Sequence, residues 1–251
     1  MKGRLSVSVV LFLLIQINSV HAEDANRNLS LKKIPLSTGK NFLKLFRSGN
    51  LAPLIEGAAA TGISTSFEDE IHDYFEQRNT AGKPESAGGA LGSAYLVAPA
   101  IVTVLIVGHN SKNEHFESFS YALTQGCLLN TGMTAGLKIA TQRLRPNKSN
   151  KRSFPSGHSS NSFMIATVIH QYYGKKAGII VYSVAGFVAA SRLKEDVHWL
   201  SDVVAGASMG YIIGRTVSTS AAEKKTQSLF EFYPTVDPLK RQFGLNLRIH
   251  W

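Results

Sequence analysis

Five apolar blocks stand out along the chain, at Leu91 to Gly108, Ser118 to Leu137, Phe163 to Ile169, Ala177 to Ala190 and Val203 to Gly214. Their lengths and their Ala and Gly content predict helices, because strand runs are shorter and richer in β-branched and aromatic residues. Packed on one another they predict an all-α fold, a helical bundle. Gly206, Gly210 and Gly214 recur every four residues, so they share one face of the last helix and let a neighbouring backbone come close. Upstream, the pattern predicts a helix pair at Leu51 to Ala60 and Ser64 to Gln77, then a loop from Arg78 to Gly89 rich in turn-forming residues. Residues 23–49 read as a polar lead-in with one amphipathic patch at Phe42, Leu43, Leu45 and Phe46. Near the other end, Phe243, Leu245, Leu247, Ile249 and Trp251 alternate with Gly244, Asn246, Arg248 and His250. Strict alternation predicts a strand. Leu229 to Tyr233 is its partner in a short C-terminal β-hairpin across the Asp237-Pro238 turn.

A chain of 251 residues can build one domain with a substantial core. Lys2 and Arg4 precede an apolar run from Leu5 to Ile17 that ends on Ser19, Val20, His21 and Ala22, the three-part layout of a secretory signal peptide over residues 1–22. An uncleaved membrane anchor is the alternative, against which the run is short. The remainder divides into a lead-in with helices at 23–89, a helical core at 90–219 and a tail at 220–251. An exported chain of this kind belongs in the periplasm or cell envelope. Cys127 is the single cysteine, so no internal disulfide can form, and in its apolar setting the thiol reads as packing. Only the first two apolar blocks approach the length of a bilayer span, and the second carries many polar side chains. Soluble and membrane-associated bundles therefore both fit.

Charge sharpens the picture. The formal net charge is +10, and loss of Lys2 and Arg4 with a leader would lower it by two. A basic balance by itself suits nucleic acid, an anionic membrane or a phosphorylated substrate. From Ser118 to Lys194, however, there is no Asp or Glu, while Lys138, Arg143, Arg145, Lys148, Lys151, Arg152, Lys175, Lys176, Arg192 and Lys194 all fall there. That stretch is suited to hold an anion. Three motifs lie in or beside it. Lys138 and Arg145 are seven apart, about two turns of helix, which predicts one shared face ending before Pro146. Pro155, Ser156, Gly157 and His158 precede a helical pattern from Ser159 to Tyr173 that Gly174 should stop. Ser156 is a good N-cap, and the amides of Ser156 and Gly157 can point at an anion. Ser191 and Arg192 precede His198 and Asp202, whose spacing of four lets the carboxylate orient the imidazole on a helix. Each motif alone reads better as a solvated basic face, a chance loop or a satisfied histidine. The remaining histidines, His72, His109, His115, His170 and His250, show no metal-ligand spacing.

Taken together, Lys138 with six residues before Arg145-Pro146, then Pro155-Ser156-Gly157-His158, then Ser191-Arg192 with five residues before His198 and three before Asp202, resemble the three-part signature of the type 2 phosphatidic acid phosphatase superfamily. That superfamily also contains bacterial nonspecific acid phosphatases and vanadium haloperoxidases. The likeness covers roughly Lys138 to Gly214, and the eight-residue spacer Asn147 to Phe154 is short for it. The resemblance implies a metal-independent phosphatase acting on phosphate monoesters, lipid and isoprenoid phosphates among them. Lys138, Arg145, Ser156, Gly157 and Arg192 would bind phosphate. His198 would be the nucleophile, Asp202 its orienter and His158 the general acid and base. No cofactor is implied, although vanadate could occupy the same cage. The implied partner is a phosphorylated small molecule or lipid, with a membrane surface as a further candidate and no nucleic acid. Two other readings belong beside this one: vanadate-dependent halide oxidation, and a non-catalytic module that only binds a phospholipid.

Overall fold

The structure is a computed structural model that describes residues 31–78, 87–227, 230–237 and 242–249, with side chains for 31–77 and 87–220. The leader expected at residues 1–22 lies outside the described residues. The chain divides into a unit of residues 1–34 and a unit of residues 35–251. In the first, Leu31–Lys33 form a 3₁₀ turn.

The apolar blocks do become helices. The helices of the described residues are α1 (Ile34–Lys44), α2 (Ser48–Thr65), α3 (Glu68–Arg78), the short α4 (Ala87–Gly92), α5 (Ala94–His109), α6 (Glu114–Thr141), α7 (Gly157–Lys194) and α8 (Leu200–Gln227), and the five apolar blocks fall in α4 to α8. Two antiparallel strands follow, β1 (Phe230–Asp237) and β2 (Gln242–Ile249), with Tyr233 opposite Asn246. The hairpin expected from the alternating tail is therefore present, though the burial of its face lies outside the described side chains.

Where the helices begin and end has local causes. Ser93 caps α5 by accepting from the Leu96 amide, and Asn113 caps α6 by accepting from the amides of His115 and Phe116. Gly174 sits at φ 80°, ψ −173°, so α7 breaks there into two limbs, as its sequence predicts. The limbs fold back on each other. His170 packs at Gly178, and Thr167 Oγ1 lies 2.8 Å from Tyr182 Oη, so residues equally far from the break come together. That return carries Arg192 back towards the level of His158.

Two expectations fail for the elements upstream of α7. Residues 34–44, read as a loose lead-in, are helical, with Leu45 buried at the end and Phe42, Leu43 and Phe46 left exposed. The helix carrying Lys138 stops at Thr141 rather than at Arg145. Gln142 turns into the left-handed region at φ 45° and returns its amide to the Lys138 carbonyl at 3.1 Å. Residues 143–145 then pair with the next loop, through Ser153 N to Arg143 O at 3.0 Å and Arg145 N to Asn150 O at 3.1 Å. Lys138 and Arg145 thus do not share a helix face.

The core gathers Val97 and Ile101 from α5, Phe119, Leu123 and Leu129 from α6, Met164 and Val168 from α7, and Ile212, Ile213 and Val217 from α8. Polar pairs pin the outer helices to it, Asn50 Nδ2 donating to Thr216 Oγ1 at 2.8 Å and Asn41 Nδ2 to Gln125 Oε1 at 2.7 Å. The glycine seam works as its spacing predicts. A Cβ at Gly206 would stand 2.5 Å from Ser156 O, one at Gly214 2.8 Å from Met164 O, and one at Gly210 closer still to Ser160 O. Because the obstacle is main chain rather than a flexible side-chain tip, Gly210→Ala is expected to destabilise the fold by about 1–3 kcal/mol. Denaturant or thermal unfolding of the variant checks this, with unchanged stability as the contrary result.

Candidate active site

The three motifs converge where the C-terminal end of α6, both ends of α7 and the start of α8 meet. Ser156 caps α7 with φ −70°, ψ 111°, its hydroxyl accepting from Ser159 N at 3.4 Å. Its own amide is spent on the Asp202 carbonyl at 2.9 Å, which locks the α7 start onto the α8 start. Among the amides singled out in sequence, this leaves Gly157, the first residue of α7, where first-turn N–H groups have no intrahelical acceptor.

His198 is not on a helix, contrary to the spacing argument. It precedes α8, whose first residue is Leu200. Trp199 takes the N-cap place, and Asp202 at the third helical position reaches back to accept from Trp199 N at 2.9 Å, a capping-box arrangement. The same Oδ2 atom lies 3.6 Å from His198 Nδ1, longer than a hydrogen bond, and Nδ1 is buried without another partner. With Nδ1 turned to the carboxylate, Nε2 is the ring nitrogen left for chemistry.

Lys138 reaches the site by another route than a shared helix face. Its ammonium donates to three main-chain carbonyls, Arg152 O at 2.6 Å, Ser153 O at 3.3 Å and Pro155 O at 2.7 Å, and so fastens the short spacer over the end of α6. Arg192 donates Nη2 to Glu195 Oε1 at 2.7 Å and to Ser191 Oγ at 2.9 Å. Arg145 is half-buried and its Nε has no hydrogen-bond partner. It lies close enough to Arg192 and Asp202 to feel both charges. His158 in turn feels Arg192, His198 and Arg145. Gly92 leaves it room, since a Cβ there would come within 3.0 Å of His158 Cδ2. All eight residues expected at the site are thus drawn to one region.

Three site residues escaped the sequence reading. Arg143 Nη1 donates to Asp202 Oδ1 at 2.8 Å, the Ser153 hydroxyl donates to Asp202 Oδ2, and Arg143 Nη2 binds Glu68 Oε2 at 2.7 Å. Ser153 and Arg143 sit beside motif residues, and a buried carboxylate needing partners is the signal that could have pointed to them. Nothing in the local pattern marks Glu68, far upstream in α3. His72, read as structural, faces Asp196 with Nδ1 to Oδ1 at 3.1 Å. His72, Asp73 and Glu76 also bring one ligand atom each within 4.8 Å of one another, with the two carboxylates exposed.

Residues 146–225 match the sequence model of the PAP2 superfamily, so that segment is similar to the family over the stretch that carries the second and third motifs. A lipid A 1-phosphatase of Porphyromonas gingivalis is 33% identical over 110 residues, 43% of this chain and 25% of that protein. A PA-phosphatase related-family protein of Dictyostelium discoideum is 27% identical over 150 residues, 47% of this chain and 55% of its own length. The chain thus spans between a quarter and about half of these relatives. The crystal structure of Aquifex aeolicus LpxE is similar with a TM-score of 0.46 and 26% identity, over 59% of this chain and 93% of that one.

Burial, opposed by the Asp202 carboxylate and reinforced by Lys138 and Arg145, pushes the His198 imidazole down to about 4. It is therefore neutral, with a lone pair on one ring nitrogen, throughout the physiological range. NMR of histidine-labelled protein should show His198 titrating near pH 4 rather than at the ordinary 6.5. Asp202→Asn should move it lower, since the carboxylate is what holds it up. An imidazole titrating at 6.5 or above would contradict the burial described.

Proposed function

We propose that the chain is a metal-independent phosphatase that hydrolyses lipid phosphate monoesters through a phosphohistidine. The observation that carries the reading is the neutral, buried His198 backed by Asp202 and set among Arg145, Arg192, Lys138 and His158. His198 Nε2 attacks phosphorus in line, and the ester P–O bond breaks. His158, which takes up a proton when the phosphate dianion binds beside it, gives that proton to the departing alkoxide, so a neutral alcohol leaves. Asp202 steadies the ring as it becomes positively charged. In the second step His158 takes a proton from water, whose oxygen attacks phosphorus, and the P–N bond electrons return to Nε2. Arg145 and Arg192, with the Gly157 amide and the Lys138 charge nearby, hold the equatorial oxygens and stabilise the charge that builds there. These cations supply the neutralisation that Mg²⁺ provides in other phosphoryl transfers.

Two observations support a lipid as the leaving alcohol. The relative from Porphyromonas is a lipid A 1-phosphatase. The flanks of the bundle are also unusually apolar: Ile139 of α6 and Ile179 and Ile180 of α7 are 73%, 70% and 67% exposed, and Ile55, Tyr95 and Phe187 extend the surface over α2, α5 and α7. Among the described residues, the apolar window of α7 has a mean hydropathy of 1.3 and is only 33% buried, less than a soluble core helix would show. Because α7 breaks at Gly174 and folds back, this exposed apolar surface, not the full length of α7, is what supports a membrane setting. In this reading the bundle lies in an envelope membrane with the site at its edge.

His198→Ala is expected to lower phosphate release by about 10³-fold or more, and His158→Ala to spare a good leaving group such as p-nitrophenol more than an aliphatic alcohol. The measurement is phosphate release from phosphatidic acid in mixed micelles and from p-nitrophenyl phosphate. Trapping of an acid-labile, base-stable labelled phosphoprotein in wild type but not in His198→Ala identifies the intermediate. Undiminished release by His198→Ala would end the proposal, and recovery of all the protein in the soluble fraction would end its lipid part.

A further inference from the structure

Asp202 has no exposed surface, and the partner of its outer oxygen is not a motif residue. Arg143 places one edge of its guanidinium on Asp202 and the other on Glu68, the first residue of α3. Ser201 closes the arrangement. Its hydroxyl accepts from Arg143 Nη1 at 2.6 Å and donates to Glu68 Oε1, to which its amide also donates at 3.2 Å. Glu68, Arg143 and Asp202 thus form a row of alternating charge ending behind His198. Glu68 and Arg143 both lie outside the segment 146–225.

A guanidinium bound to Asp202 alone would draw off the negative charge that the imidazole needs when it turns cationic on attack. Glu68 engages the other edge of that guanidinium, so the row as a whole keeps one net negative charge. Arg143 is 29% and Glu68 12% exposed, so solvent screens the row only partly. We propose that Glu68 and Arg143 are positioning residues that set how much negative charge Asp202 presents to His198, so that α3 tunes the nucleophile. This rests on reading His198 as the nucleophile.

The other charged and titratable groups facing His198 are Lys138 from α6, Arg145 from the loop after it and His158 from α7, with His72 and Asp196 lining the same small cavity as Glu68 and Trp199. None of them changes in the substitutions that follow. Removing the Glu68 charge leaves the row neutral, whereas removing Arg143 leaves it with two negative charges. The two changes must therefore move His198 in opposite directions, which a purely structural role would not do.

The test is kcat and KM against pH for the full chain with p-nitrophenyl phosphate. In Glu68→Gln the acid limb of kcat/KM should move down by roughly one pH unit. Its kcat should fall by about tenfold with KM little changed, because a less basic imidazole loses transition-state stabilisation rather than binding. In Arg143→Met the limb should move up by roughly one unit, while Arg143→Lys, which keeps the charge, should hold it near the wild-type position. The double variant Glu68→Gln with Arg143→Met should return towards wild type. Should Arg143→Met fail to fold, Glu68→Gln and Arg143→Lys still decide the matter. An unmoved limb in Glu68→Gln, or shifts of the same sign in both single variants, overturns the proposal provided His198→Ala is inactive. Activity in His198→Ala overturns the underlying reading instead.

Discussion

A carboxylate with no exposed surface must be paired or it destabilises the fold, and Asp202 sits where three segments each supply its carboxylate a partner and a fourth binds its main-chain carbonyl. Arg143 comes from the loop that leaves α6, Ser153 from the spacer, and Trp199 N from the cap of α8; Ser156 N binds the Asp202 main-chain carbonyl from the start of α7. The carboxylate and the main-chain carbonyl of this one residue together fix the relative places of the helix ends that carry His158 and His198. Lys138 completes the arrangement by fastening the carbonyls of residues 152, 153 and 155, which explains how a spacer of eight residues holds a defined path.

The bundle beneath supports this junction through contacts of a different kind. The Gly206, Gly210 and Gly214 seam lets α8 lie against the main chain of α7, close enough for the two helix starts to bond directly. The break at Gly174 sends α7 back along itself, so one element delivers His158 from its first turn and Arg192 from its last. Polar pairs such as Asn130 Nδ2 to Asn161 Oδ1, 2.6 Å apart between α6 and α7, lie within the bundle while Ile139, Ile179 and Ile180 lie outside. That distribution of polarity suits the lipid-facing role proposed for the outer surface.

The sequence by itself determined a good deal. Apolar block lengths announced a helical bundle, the four-residue glycine spacing announced its tightest contact, and Gly174 and the Ser156 cap announced where α7 breaks and begins. The residue types of the three motifs pointed to phosphate chemistry before any distance was known. All of these depend on periodicity or on the chemistry of one or two neighbouring residues, which a linear chain displays directly.

Other features belonged to the tertiary structure alone. Lys138 and Arg145 are not helical neighbours, because Gln142 turns left-handed and the chain beyond it bonds to the spacer instead of continuing the helix. His198 lies ahead of α8 because Asp202 caps that helix, a use of the carboxylate that i, i+4 spacing does not reveal. Glu68 could not be found at all in sequence: it meets Ser201 across 133 positions, and only folding brings them together. Local rules specify which groups are available, whereas the need to satisfy a buried charge decides which of them meet, and that need arises only once the surrounding helices have excluded water.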